Sequence, residues 1–531
     1  MLRIDTALPL KYTQNDIFSA VFSKLPVTRD DIIDCELLKL TLDLSDKTNI
    51  RYKAAIGISL SAELEEKLKL RKKVAKEVPS LEFVYEKYDT KNLSPVIIGA
   101  GPCGLFAALI LAEAGANPII IERGAPVEER NKVVEAFLKH GILNNECNVQ
   151  FGEGGAGTYS DGKLKSGSLN KYKYKILKEF IEAGATPDII YSSSAHLGTN
   201  KLTTIVKNLR QKILDNGGTF IYNAKFTELI YQNDILTSIK YIKNGSTNIL
   251  PCTDVILAIG HSARDTIVSL YEQGFQIIPK GFGIGMRIEH PREYINDLIY
   301  GKNHSKDLET ASYHLVTHLK NGRSVYSFCM CPGGTVVPAA SEEGGIVTNG
   351  MSSFARDADN SNSALLVSVT PEDYMSDHPL AGLELQRTIE RRAFSLASSN
   401  YSAPTIKMSE LRDKKSPNGI YNSVKPSYSI GTLPLSPSEY LPGYIIESLA
   451  TSFTDFDDWM PGFYFPDAVL TGPETRTTSP IKMLRNEETR LALAHPHVYP
   501  SGEGAGYAGG IVTSAYDGVL SALALLEKFK C

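Results

Sequence analysis

The chain has 531 residues, 42% of them hydrophobic, with 56 Lys+Arg against 60 Asp+Glu for a net charge of −4. It is apolar enough to bury sizeable cores, too long for one domain at about 150 residues each, and too near neutral to carry the basic footprint of a nucleic-acid or anionic-membrane binder. The 7 cysteines include no CxxC pair, which excludes a disulfide scaffold, a zinc knuckle and a thioredoxin-type redox pair, and no metal site is expected.

The N-terminal stretch MLRIDTALPLKYTQNDIF carries charges and Pro where a signal peptide needs an apolar run. Val96 to Ile121 is the most apolar region, but four glycines and Glu113 interrupt it, so it is a poor membrane span. A cytoplasmic location is expected. Residues 1–90 read as a small α/β unit: a helix over Asn15–Leu25, strands over Asp34–Leu44 and Arg51–Leu60, then a charged, solvated helix over Glu63–Glu77. The polar stretch 89–95 reads as a linker. From Pro95 the pattern is strand, glycine turn, helix, strand. An amphipathic helix follows at Lys201–Asn216, then strands at Phe220–Tyr222, Phe226–Tyr231 and Ile235–Ile242, with turn chemistry at Asn244-Gly245. Val255–Ile259 is an apolar strand ending at Gly260. Residues 266–480 are less periodic and predict strands with long loops. The chain closes with a helix from Gly510 to Lys528.

Val96-Ile97-Ile98 leads into Gly99-Ala100-Gly101-Pro102-Cys103-Gly104, a helix over Leu105–Ala114, and a strand Pro118–Ile121 ending at Glu122. This is GxGxxG in its required setting. Gly99 permits the tight turn, Gly101 lets backbone approach a pyrophosphate, and Gly104 allows close helix–strand packing. The helix N-terminus offers N–H groups and partial positive charge to that anion. Glu122 stands where a carboxylate accepts hydrogen bonds from ribose hydroxyls. Cys103 reads as a small filler of the loop.

Two further glycine clusters lie at 152–162 and 502–510. The three windows 99–104, 152–162 and 502–510 hold 3, 5 and 5 glycines, 13 of the chain's 42. So many glycines cost entropy to order, which makes sense where backbone passes close to a flat or phosphorylated ligand.

With these motifs the chain resembles a flavoprotein of the glutathione-reductase-like superfamily with one Rossmann domain. NVQFGEGGAGTYSDGKL (148–164), LAIGHSARDT (257–266), SFCMCPGGTVV (327–337) and GEGAGYAGGI (502–511) resemble the bacterial family of FAD-dependent dehydrogenases over about residues 95–531. The resemblance implies FAD as cofactor, with Gly99, Ala100, Gly101, Pro102, Cys103 and Gly104 around the pyrophosphate and Glu122 on the adenosine ribose. Arg123 and Arg130 would lie beside the adenine end or the second cluster, and Gly155, Ala156, Gly157 and Thr158 against pyrophosphate or ring. Lys225 and Phe226 would meet adenine, Ala258 and Gly260 end a strand at the nucleotide, and Gly502 and Glu503 face the ribityl chain. Gly510 and Ile511 would present a helix N-terminus to the flavin ring.

No second GxGxxG opens a helix, because Gly281-Phe-Gly-Ile-Gly285 reads as a strand. The CxxxxC pair of disulfide reductases is also missing. Reduced NAD(P)H is therefore expected as a transient electron partner. Three candidates for chemistry stand near the flavin-facing segments. Arg476 either binds a substrate carboxylate or phosphate or forms an internal salt bridge. His290 is a proton donor or a structural residue opening the next helix. Cys329, with Cys331, is a flavin-adjacent thiol or a buried filler, and His261 follows the strand end at Gly260. The aromatic run Phe453–Phe465 is a cavity wall, a lid or core.

The expected architecture is α/β: an N-terminal domain (1–90), a discontinuous Rossmann-like FAD domain (91–265 and 481–531) and an inserted α+β substrate domain (266–480). The expected activity is hydride transfer between flavin and a small organic substrate. The alternatives are a tRNA-modifying flavoprotein, for which the −4 charge is unfavourable, and a flavin-binding protein without turnover. The sequence leaves the oligomeric state open.

Overall fold

The computed structural model describes residues 1–69, 76–77, 80–164 and 167–531. The N-terminal unit is an antiparallel sheet in the order Ile32–Asp43, Arg51–Leu60, Leu2–Leu8, Lys76–Glu77. The helix Gln14–Lys24 is fixed at its start by a capping box of Thr13 and Asp16, and it buries Ile17 and Val21 in the same core as Leu2 and Ile4. The charged run expected as one helix is helical only over Ala62–Lys69. Its residues 70–75 lie outside the described residues, and Lys76–Glu77 forms a strand on Leu2–Arg3 instead.

The central sheet has five parallel strands in the order Val498–Pro500, Val255–Leu257, Val96–Ile98, Ile119–Ile121, Thr219–Ile221. Parallel strands covered on both faces read as continuous apolar runs, and each of these does. The helix Pro102–Glu113 is apolar all round because it is covered all round: Cys103 through Ala112 are buried, sharing a core with the helices Gly198–Asp215 and Ile511–Leu526. A three-stranded meander, Ala224–Gln232, Ile235–Lys243 and Ser246–Pro251, lies at one side. Its turns use Asn233-Asp234 and Asn244-Gly245, all four at positive φ, the backbone that two-residue hairpins require. Helices Val127–His140 and Lys171–Glu182 were not expected from the sequence.

The chain leaves this unit along Ile277–Pro279 and returns along Ile481–Met483, two strands that pair antiparallel. Between them lies a seven-stranded sheet, ordered Val316–His318, Ser324–Cys331, Asn360–Val369, Phe282–Pro291, Val469–Glu474, Ala403–Lys407, Thr432–Pro434. The expectation of strands with long loops is corrected here by two long helices, Ala381–Leu396 and Gly443–Trp459. Ile445, Leu449, Phe453 and Phe456 recur every three or four residues and are fully buried, but intervening Ser, Thr and Asp obscured the period. The aromatic run is therefore core, and Trp459 points outward at 75% exposure. The architecture is α/β, with a parallel sheet interrupted by an inserted mixed α/β unit.

Candidate functional site

One cavity of about 440 Å³ runs from the carboxyl ends of the central parallel strands to the face of the seven-stranded sheet. Ligands of open α/β sheets bind at that end of the strands. Its wall includes four glycine-bearing segments far apart in sequence, 98–103, 150–163, 258–266 and 501–514, together with 121–123, 224–226, 313–314, 327–331, 349–350 and 474–477.

The first wall is the dinucleotide loop. Gly99 has φ 105°, and a Cβ at Gly104 would run into the Gly99 carbonyl oxygen. Gly101 is the N-cap of the helix that begins at Pro102, and no side chain caps it, so the first N–H groups remain open. Glu122 clasps this loop to the next one. Its Oε2 accepts from Ala100 N at 2.8 Å, and its Oε1 accepts from Gly124 N and Gly152 N at 2.9 Å each. A carboxylate accepts about four hydrogen bonds, so one site remains for a hydroxyl in the cavity.

The second loop is built around Arg130, which is fully buried. It donates to the carbonyls of Asn148 (3.0 Å), Val149 (3.0 Å), Gly152 (3.2 Å), Glu153 (2.6 Å) and Gly155 (2.9 Å). The planar guanidinium thus holds carbonyls that turn away from any ladder. Gly152 lies so close to Arg130 that a Cβ would meet its Cδ, and Gly124 approaches Gly152 equally tightly. Arg123 stacks on Phe151 at 4.0 Å and bonds to Glu146 and Asp265, with Lys225 on the same two carboxylates.

The C-terminal loop is held by Asp517, which accepts from Gly502 N at 2.7 Å and pairs with Arg485 and Arg490. Glu503 lines the cavity, with Oε1 3.8 Å from His261 Nε2. Burial pushes the Glu503 carboxyl up to about 7, against the opposing Lys280 charge and Gly510 N–H. Burial, with the charges of Arg476 and Arg264, pulls His261 down to about 3 and keeps it neutral.

At the far end, Cys329 is exposed and lines the cavity, whereas Cys331 is buried. The strand does not alternate as an extended pair would. A bulge falls between Phe328 and Cys331, Cys329 has φ 41°, and Cys331 Sγ lies 3.3 Å from the Cys329 carbonyl. Cys329 is exposed only into the protein-enclosed cavity, and this desolvation raises its thiol as core burial raises that of Cys331 to about 12, so both are protonated at neutral pH.

Of the residues expected at the site, Gly99, Gly101, Pro102, Cys103, Glu122, Arg123, Gly155, Ala156, Gly157, Lys225, Phe226, Ala258, Gly260, Glu503, Gly510, Ile511, Arg476 and Cys329 line this cavity. Ala100, Gly104, Arg130, Thr158 and Gly502 do not; they stand behind the wall and shape it. His290 is a correction. It is buried at the end of its strand with Nε2 3.0 Å from the Phe463 carbonyl, and burial takes its pKa down to about 4, away from the cavity. Arg476 is corrected in role. Its guanidinium is engaged by Glu390 at 2.9 and 3.2 Å and by Ser341, so it is the internal salt bridge and not a free substrate anchor. Burial alone would raise the Glu390 carboxyl, but the flanking Arg264 and Arg476 charges hold it far below the usual range. Sequence reasoning missed Arg264, Glu390, Asp517 and Lys163. Arg264 and Lys163 lie in the quoted motifs 257–266 and 148–164 but carried no assigned role there, and Glu390 and Asp517 lie in none.

The geometry suits a dinucleotide. No atom lies within 4 Å of where a Cβ would stand on Gly260 or Gly509, both in the wall, so the loops leave a cradle that side chains would fill. Comparison with known proteins agrees. Residues 92–133 match the FAD binding domain model, and residues 281–477 match the model described as FAD-dependent protein, C-terminal domain-like. An uncharacterized protein of Clostridium beijerinckii is 42% identical over 520 residues, covering 97% of this chain and 96% of that protein. The chain belongs to the same family as this clostridial protein. It is an FAD-dependent protein. Among solved structures, a 3-ketosteroid-delta4-(5alpha)-dehydrogenase from Rhodococcus jostii aligns with 84% of this chain and 100% of its own at 11% identity and a TM-score of 0.36. A geranylgeranyl bacteriochlorophyll reductase-like protein from Thermoplasma acidophilum covers 82% of this chain and 78% of its own, at 10% identity and a TM-score of 0.35. These scores are too low to carry the fold or the substrate of either protein across.

Proposed function

We propose that this flavoprotein transfers a hydride between bound FAD and a small organic substrate seated at the far end of the cavity, with NAD(P)H as a transiently docking electron partner. The observation that carries the reading is the single continuous cavity. It joins the glycine loops, where a dinucleotide fits, to a pocket under the seven-stranded sheet lined by Lys163, Phe328, Cys329 and Asn349. We place the chain among the glutathione-reductase-like flavoproteins, with residues 91–265 and 481–531 as cofactor domain, 266–480 as substrate domain and 1–90 as an appended unit.

Bound FAD would supply a two-electron centre. Gly101, Pro102 and Gly155 would hold its pyrophosphate, and Glu122 would offer its remaining acceptor position to a ribose hydroxyl. Gly510 and Ile511 would place a helix N-terminus at the ring, where N–H donation and the helix dipole favour negative charge. Arg130 and Asp517 position the loops without touching the ligand. Glu503 holds a proton near neutrality, while the Cys329 thiol and Lys163 face the substrate.

The test is anaerobic addition of NADH or NADPH to the FAD-loaded protein, followed by absorbance. Bleaching of the flavin bands by at least one of them is expected. A loaded protein that neither nucleotide bleaches contradicts the electron-partner assignment.

A further inference from the structure

The far end of the cavity holds an ammonium with no direct ion pair among the described residues. Lys163 ends the second glycine loop and lines the cavity. Its Nζ donates to the Met330 carbonyl, and no ion pair joins it to a carboxylate among the described residues. The neighbouring carboxylates are already committed. Asp161 accepts from Arg356 Nε at 2.9 Å and from Ser352 Oγ, and Glu474 is bidentate on Arg287 at 2.7 and 2.6 Å. Asp161 and Glu474 are thus each spanned by an arginine, Lys163 has no direct carboxylate partner among the described residues, and the protonated Cys329 and Cys331 thiols add no charge. An ammonium carries three donors, of which Met330 uses one. Burial lowers the Lys163 pKa against the opposing charge of Asp161. Such a site is completed by an anion that brings acceptors with it.

We infer that Lys163 is the anchor for a carboxylate, so that the substrates of this enzyme are small organic acids whose carboxylate sits beside Cys329. The inference rests on the oxidoreductase reading for the word substrate, but the anion site itself is a property of the chain. Lys163 replaces Arg476 as the anionic-group binder, because Glu390 already occupies Arg476.

Benzoate is the probe and benzamide its neutral counterpart, at constant ionic strength. Benzoate is expected to bind saturably, by calorimetry and by perturbing the flavin absorbance of the loaded protein, and benzamide is not. Lys163→Met is expected to keep its FAD and bind benzoate at least tenfold more weakly, with binding recovered in Lys163→Arg. Equal binding of benzoate by wild type and Lys163→Met, or no benzoate binding at all, overturns the inference. If Lys163→Met fails to fold, the benzoate–benzamide contrast in the wild type decides, and equal affinity for the two overturns it. A sample that NADH or NADPH bleaches yet takes no benzoate fails this inference alone. One that binds benzoate but is bleached by neither fails the donor reading alone.

Discussion

Glu503 shows how a single carboxyl can report on the cavity. It is 25% exposed, and that exposure is to the cavity, while protein surrounds it on other sides. Burial raises its pKa from 4.5 to about 7. Between those values the unfolded chain has already lost the proton that the folded chain keeps, so stability falls as pH rises from about 4.5 to 7. Glu503→Gln removes that dependence. The stability of the glutamine variant relative to wild type is therefore expected to grow between pH 5 and pH 8. The ceiling is about 3 kcal/mol, since one pKa unit is about 1.4 kcal/mol, and solvent in the cavity reduces it. Denaturant titration of the FAD-free proteins at both pH values checks this, and a difference independent of pH would show that Glu503 titrates normally.

At the scale of elements, glycines in the same wall do different jobs, and the structure separates them. A Cβ at Gly104 meets the Gly99 carbonyl and the Ile97 side chain, so this glycine sets how closely the helix Pro102–Glu113 approaches the strand Val96–Ile98. Gly509 has nothing within 4 Å and ordinary backbone, so a methyl there enters only the cavity. Gly104→Ala is expected to destabilise the FAD-free protein by about 2 kcal/mol or more through overpacking. Gly509→Ala is expected to leave it within about 0.5 kcal/mol but to weaken FAD binding tenfold. Chemical denaturation and fluorescence titration with FAD separate the two, and an identical pattern in both variants would remove the distinction.

The sequence made Gly104 legible because its role is local, set by a strand, a turn and a helix within a few residues. The same holds for Glu122 at its strand end and for the Asn244-Gly245 turn. Lys163 and Arg476 were not legible in role, because what decides each is a partner far along the chain: Met330 for the first, Glu390 for the second. The helix Gly443–Trp459 was missed for another reason. Its apolar stripe is narrow, and its polar residues matched the expectation of loop.

At the scale of the whole molecule, the cavity walls are assembled from loops some 400 residues apart, and each is stapled by a buried charge. Glu122 fastens 99–101 to 152, Arg130 fastens 148–155, Arg264 and Glu390 tie 264 to 476, and Asp517 fastens 502. A ligand that touches all four walls is held by the folded chain alone and stabilises it by mass action, about 2.7 kcal/mol at a hundredfold excess over Kd. Because the loops share one ligand, their openings become coupled, and FAD should protect them together. Hydrogen exchange with and without FAD is expected to show slower exchange in 98–103, 150–163, 258–262 and 501–511 at once. The N-terminal strands Leu2–Leu8 and Arg51–Leu60 pair with each other and contribute nothing to the cavity wall, so they are expected to exchange unchanged. Protection confined to 98–123, with 501–511 exchanging as fast as before, would mean that the C-terminal loop does not reach the cofactor, and the convergent site would have to be divided.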